Sequence, residues 1–188
     1  MKIGIDIDDT VMNTLEVIDA AALYYDKVHV NNAGIRNNDT YDLKERFYWN
    51  SDIKRDFFRF FRDNQLYLKA TPKGDALYYL DKLYESGYEI YFLTRRSAEG
   101  PFDILNITKN DLTKKGFKYQ DCYINLSKKG AKCQELGIDI FIDDSVEQIK
   151  DVNTYGIKTI LIDTWYNKDY EGLRAKNFQE VYKIIKGE

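Results

Sequence analysis

Carboxylates crowd the front of this chain, in Ile3-Gly4-Ile5-Asp6-Ile7-Asp8-Asp9-Thr10. Apolar residues at 3, 5 and 7 read as a buried β-strand, and side chains two apart project towards the same side, which puts Asp6 beside Asp8. Close carboxylates repel and desolvate poorly, so placing them together calls for a cation or a reaction. Asp9 falls out of that period and reads as a turn residue without a catalytic role. A second acidic pair, Asp143-Asp144, ends another apolar run, and Thr94 ends a third. Acidic residues at two strand ends make an all-oxygen site suited to Mg2+, which takes one or two carboxylates, keeps waters and draws a remaining ligand from phosphate. A hydroxyl from Thr94 and an ammonium from a lysine complete a phosphate-binding edge, the equipment of phosphoryl transfer, where catalysis is mostly positioning and charge stabilisation. One carboxylate can attack phosphorus while a second acts as acid and then base.

The elements that must position these groups alternate along the chain. Residues 2–7 read as a first strand, apolar on both faces as in a parallel sheet covered on two sides. Leu15, Ile18, Ala22 and Tyr25 then recur at helical spacing, and Ile53, Phe57, Phe60 and Phe61 form a second stripe with Ser51 placed to cap it. No strand pattern interrupts residues 12–70, so this stretch reads as an all-helical insertion. From Thr71-Pro72, read as a helix start, strands at 88–93, 121–125, 138–142 and 158–162 alternate with helices, including helical residues near 110–115 and a helix from about Lys128 to Leu136. Phe178, Val181, Tyr182 and Ile185 line a closing helix. The expectation is an α/β fold: a parallel sheet covered by helices on both sides, with residues 1–11 and 71–188 as its core and 12–70 as a small helical insertion after the first strand. Right-handed crossovers bring every strand's C-terminal end to one edge, where ligands of such sheets bind.

Composition narrows the choices. The 188 residues fit one domain with a modest insertion, and a net charge of −3 provides no basic field for a nucleic-acid polymer. A single histidine, His29, excludes histidine triads and multi-histidine metal sites, and two cysteines, Cys122 and Cys133, are too few for a disulfide framework and read as small buried residues. No charged-then-apolar leader precedes the first strand and no apolar run approaches ~18 residues. The expected setting is the cytoplasm, away from membranes.

These residues resemble a known family. Asp6-Ile7-Asp8-Asp9-Thr10 is similar to the first motif of the haloacid dehalogenase-like hydrolases, Leu93-Thr94 to their second, and Ile142-Asp143-Asp144-Ser145 to their fourth. The third motif is a lysine for which Lys128, Lys129 and Lys132 are candidates. Within the superfamily the likeness is to the type-C 5′-nucleotidases, the 5′(3′)-deoxyribonucleotidases and their bacterial relatives. It runs from Lys129-Gly130-Ala131-Lys132 through Asp143-Asp144 to Ile162-Asp163-Thr164-Trp165-Tyr166-Asn167, and in that register the catalytic lysine is Lys129. The resemblance implies that Asp6 is the phosphorylated nucleophile and Asp8 the acid/base. It also implies Mg2+ held by the Asp6 carboxylate, the Asp8 carbonyl and Asp144, with Asp143 in support, and a transferring phosphoryl group held by Thr94 and Lys129. The resemblance further implies a Rossmann-like, doubly wound parallel sheet in order 3-2-1-4-5, and the helical insertion after the first strand, residues 12–70, matches the position of the family's substrate-selecting cap domain.

The implied reaction is hydrolysis of a small phosphorylated substrate, a nucleoside monophosphate, through an aspartyl-phosphate. A sugar phosphate is the alternative among enzymes. A phospho-accepting regulatory domain is the alternative of another class, although such a domain has no need of a lid. Arg95 and Arg96, directly after Thr94, are placed to touch substrate, since arginine pairs well with phosphate. The aromatics Phe47, Tyr48, Trp49, Phe57, Phe58, Phe60 and Phe61 suit either a base-stacking lid or the insertion's own core. Arg55, Arg59 and Arg62 read as a solvated helix face.

Overall fold

The computed structural model describes residues 1–188. The chain separates into two compact units, Met1–Met12 with Pro72–Glu188, and Asn13–Thr71.

The first unit is built on a six-stranded, all-parallel sheet. Its strands are β1 (Lys2–Ile5), β2 (Glu89–Leu93), β3 (Asp121–Tyr123), β4 (Ile140–Asp143), β5 (Lys158–Ile162) and β6 (Arg174–Ala175), in the order 3-2-1-4-5-6. The first five stand in the order that the family resemblance implies, and the two-residue β6 extends the edge. β1 and β4 are hydrogen-bonded neighbours across the point where the strand order reverses, with Ile5 opposite Ile142. Their ends therefore open at the crevice where doubly wound sheets bind ligands. Gly4 in β1 is closely packed: a Cβ there would lie 3.1 Å from both Leu93 and Phe141.

Helices α6 (Gly130–Leu136) and α7 (Val146–Asn153) cover the sheet through a buried cluster of Leu93, Cys133, Ile138, Phe141, Ile149, Val152 and Leu161. Each fully buried side chain of this size contributes about 1.5–3 kcal/mol relative to exposure. Two further helices, α4 (Ala76–Glu85) and α8 (Phe178–Lys186), pack on each other and bury Leu80, Leu83, Phe178 and Val181. The remaining helix of this unit is α5 (Ile104–Lys114). Both cysteines are buried, Cys122 in β3 and Cys133 in α6.

The second unit holds α1 (Thr14–His29), the single turn α2 (Leu43–Arg46), α3 (Ser51–Asp63) and a 3-10 turn at Leu66–Lys69. Phe47, Trp49, Phe57 and Phe61 are buried here, with Phe47 stacked on Trp49 at 4.6 Å, so these four form the unit's own core. Tyr48 and Phe58 are exposed. Asp26 pins the core by accepting the Trp49 indole N–H at 2.7 Å and the Gly34 amide at 3.0 Å. Arg55 and Arg59 pair with Asp52 and Asp56 on an exposed face.

Local boundaries differ from the periodicity in several places. β1 stops at Ile5, because the backbone turns through Ile7, whose carbonyl accepts the amides of Val11 and Met12, and Asp9 sits at φ 59°. The cap of α3 is Asn50, whose side chain accepts from the Ile53 amide, and Ser51 is already helical. Thr71-Pro72 does not start a helix: Pro72 bridges Met12, and α4 begins at Ala76 after Asp75. α5 is longer than its short apolar signal, because Asp103 caps it by accepting from the Asn106 amide. No helix is long and apolar enough to cross a membrane.

Candidate active site

β1 delivers Asp6 and β4 delivers Asp143 and Asp144 to the strand-order switch. One carboxylate oxygen from each lies within 4.8 Å of the others, and all three residues are buried. Lys129 enters this cluster from the N-terminal end of α6. Its side chain is 1% exposed, and its ammonium donates to Asp6 and, at 2.7 Å, to Asp143 Oδ2. A buried ammonium is costly unless paired, so the two carboxylates hold it charged. Burial acts against that charge, but Asp143 and Asp6 outweigh it and push the lysine above its ordinary range.

Position 129 is selected by α7. The Asp151 carboxylate accepts from the Lys129 amide at 3.0 Å and the Gly130 amide at 2.8 Å, satisfying two orphan donors at the start of α6. Lys128, one residue earlier, is exposed, and Lys132 turns outward to Glu135 at 2.6 Å. Gly130 sits so close to Tyr155 that a Cβ would fall 2.3 Å from its ring.

Three carboxylates face a single lysine. Burial, and then the charges of Asp143, Asp144 and Asp8, raise Asp6 well above the usual carboxylate range against the opposing pull of Lys129. Asp144 is pushed up to about 6, by burial first and Asp143 second. This excess of buried negative charge, on oxygen donors only, fits a hard divalent cation such as Mg2+.

Asp8 is held differently. Arg96 grips it with both arms of its guanidinium, Nε to Oδ2 at 3.0 Å and Nη2 to Oδ1 at 2.8 Å, and the Thr94 hydroxyl donates to Oδ2 at 3.4 Å. The arginine side chain is only 7% exposed, and its third arm reaches Thr108 at 3.4 Å. Thr94 also accepts from the Arg96 amide at 3.2 Å, which ties the arginine to the strand end that carries it. Arg95, in contrast, points to solvent, 3.9 Å from Glu147. Of the two arginines read as substrate contacts, Arg96 meets a carboxylate of this chain and Arg95 stands apart from the cluster.

Several contributing residues carried no role in the sequence reading. Thr10 donates its hydroxyl to Asp144 Oδ1 at 2.8 Å and accepts the Asp144 amide at 3.1 Å. Tyr166 donates to Asp144 Oδ2, and the Asn167 amide donates to the Asp144 carbonyl at 2.8 Å. Lys73 donates to the Asp9 carbonyl at 2.6 Å, bracing the turn after Asp8. A signal for two of these was present: Tyr166 and Asn167 follow the fifth strand, whose end belongs to the same sheet edge as the aspartates.

The chain is similar to known proteins along nearly all of its length. Residues 1–187 match the family model described as 5′ nucleotidase, deoxy (Pyrimidine), cytosolic type C protein. A Chlorobaculum tepidum protein named "Putative 5'(3')-deoxyribonucleotidase" is 30% identical over 156 residues, covering 81% of this chain and 68% of that protein. A nucleotidase of Clostridium acetobutylicum is 25% identical over 191 residues, covering 98% and 93%. Among solved structures, a haloacid dehalogenase-like hydrolase from Streptococcus pneumoniae superposes with a TM-score of 0.74 at 16% identity, covering 98% of this chain and 97% of that one. The chain has the fold of the haloacid dehalogenase-like hydrolases, belongs to the cytosolic type-C 5′ nucleotidase family and is a phosphoric monoester hydrolase.

Proposed function

We propose that this protein is a Mg2+-dependent phosphatase that hydrolyses nucleoside monophosphates, as a 5′(3′)-(deoxy)nucleotidase, through an aspartyl-phosphate on Asp6. The observation that carries the reading is the buried Lys129 between Asp6 and Asp143, with Asp144 alongside. In this reading Asp6, Asp144 and the Asp8 carbonyl hold the metal, and Asp143 supports them. Bound Mg2+ would neutralise phosphoryl charge and orient the group for in-line attack.

The chain's own residues do the rest. Lys129 favours the ionised form of the Asp6 carboxyl and fixes its direction, so Asp6 presents a nucleophile without losing orientational freedom at the moment of attack. Lys129 and the Thr94 hydroxyl hold the transferring oxygens. Asp8 gives its proton to the leaving alcohol oxygen and then takes one from the water that opens the acyl phosphate. Arg96 directs Asp8 through a bidentate pair with its carboxylate form, the form that takes the water's proton, and gives up one of the two contacts when Asp8 is protonated as the acid. Residues 12–70 act as the cap that selects substrate.

The test is turnover of p-nitrophenyl phosphate and of a panel of nucleoside monophosphates and sugar phosphates with Mg2+ at neutral pH, with Asp6→Asn alongside. The expected outcome is turnover by wild type, highest on nucleotides, and none by D6N. Activity concentrated on sugar phosphates would replace the substrate class. Stoichiometric labelling by acetyl phosphate without turnover would indicate a phospho-accepting domain instead.

A further inference from the structure

The loop between β5 and β6, residues 163–173, contributes nothing to the reaction outlined above, yet it is built around Asp144. Tyr166 places its hydroxyl on Asp144 Oδ2 at 2.5 Å. Asn167, 4% exposed, donates to the Asp144 carbonyl and to the Ile162 carbonyl, both at 2.8 Å, so its amide rivets the loop to β5 and to the end of β4 together. The Asn167 side-chain oxygen accepts from the Thr164 amide at 3.0 Å and from Arg174 at 3.4 Å. Arg174, on β6, closes the loop over itself: it donates to Asp163 at 2.5 Å, to the Tyr170 carbonyl at 2.7 Å and to the Lys168 carbonyl at 3.1 Å. An eleven-residue excursion is thus tied down by one arginine and one asparagine, and its two inward groups both end on a single aspartate.

Those contacts leave a defined remainder on Asp144. Thr10 occupies one lone-pair direction of Oδ1 and Tyr166 one of Oδ2. A carboxylate offers about four such directions. One on each oxygen is left, and the carboxylate plane is fixed from both sides. Partners of a ligating carboxylate set its orientation and hence the metal's affinity.

We propose that Tyr166, held by Asn167 and Arg174, is a positioning residue that sets the Mg2+ affinity of Asp144, making the β5–β6 loop the clamp of the metal site. This rests on the assignment of Asp144 as a metal ligand in the proposed function. The clamp does not touch substrate, so its effect appears in metal binding.

The test is Mg2+ titration by isothermal calorimetry of metal-stripped wild type, Tyr166→Phe and Arg174→Gln, with thermal melts in EDTA beside them. Tyr166→Phe is expected to weaken Mg2+ binding about tenfold, the lower end of the effect of removing a ligand's hydrogen-bond partner. The Mg2+ concentration for half-maximal turnover should rise by the same factor. Arg174→Gln, which loosens the loop without removing the phenol, should shift the constant in the same direction by a smaller factor. Wild-type affinity in Tyr166→Phe overturns the clamp, and a lowered EDTA melt with an unchanged Mg2+ constant does so too, since it shows a purely structural role. If Tyr166→Phe does not fold, Arg174→Gln decides, and an unchanged constant there overturns the proposal. Absence of Mg2+ binding by folded wild type overturns the metal assignment itself and the clamp with it.

Discussion

The two carboxylates of the first motif are two residues apart and live in different electrostatic settings. Asp6 is buried against Lys129, whereas Asp8 is partly exposed and clasped by Arg96. A bidentate guanidinium fixes both oxygens of a carboxylate, which lysine cannot do. Arg96→Lys is therefore expected to lower kcat about tenfold, because Asp8 loses its fixed direction while the local charge is kept. Arg95→Ala, at an exposed side chain, should leave kcat and KM within about twofold, since surface ion pairs contribute little. Steady-state kinetics on the preferred nucleotide would measure both. Equal losses in the two variants would place Arg95 in contact with substrate and leave no special role for the clasp.

At the scale of elements, the sheet edge depends on loops and helix ends that the strands bring together. The start of α6 has no side-chain cap of its own and borrows Asp151 from α7, so one carboxylate both satisfies the helix end and sets where Lys129 emerges. Replacing a capping acceptor by alanine costs about 1–2 kcal/mol. Asp151→Ala should lose that much in a urea melt and also lower activity, since Lys129 moves with the helix end. Full activity with reduced stability would show that Lys129 is held by Asp6 and Asp143 alone. The cysteines belong to the same two layers. Burial pushes both Cys122 and Cys133 up to about 12, so each should resist a thiol reagent at pH 8 in the folded protein and react within minutes in denaturant. Rapid labelling of either thiol without denaturant would show that β3 or α6 opens locally.

For the whole molecule, the acidic cluster links stability to pH and metal. In the metal-free fold the Asp144 carboxyl titrates near 6, well above its ordinary 3.8, so between those values the folded state holds a proton that the unfolded state has released. Stability contributed by that proton is present below pH 4 and lost as pH rises through 6, a change of about 3 kcal/mol at most. Asp6 is shifted in the same direction. The EDTA-treated protein is expected to melt about 5 °C higher at pH 5 than at pH 7.5. Mg2+ should raise the melting temperature at pH 7.5 and do so less at pH 5, where protons compete for the same oxygens. A metal-free protein that is more stable at pH 7.5, with no response to Mg2+, would contradict a cation site in this cluster.

Much of this protein was legible in its sequence because the signals are local. Strand and helix periodicities give a parallel α/β sheet, right-handed crossovers bring Asp6, Thr94, Asp143 and Asp144 to one edge, and the motif resemblance supplies the strand order. Element ends were less legible, since the Asn50 cap competes with an equally polar neighbour at Ser51, and Asp75, just before α4, accepts instead from the Phe178 and Gln179 amides of α8. The partners of the site groups were decided only by tertiary structure. Lys129 meets Asp6 across 123 residues and Arg96 meets Asp8 across 88, and no periodicity reports which of three lysines or two arginines will point inward. A buried charge keeps whichever partner the fold brings within reach, and that choice is made by packing: α7 fixes the start of α6 and so selects Lys129. The β5–β6 loop delivers Tyr166 and Asn167 to Asp144 in the same way.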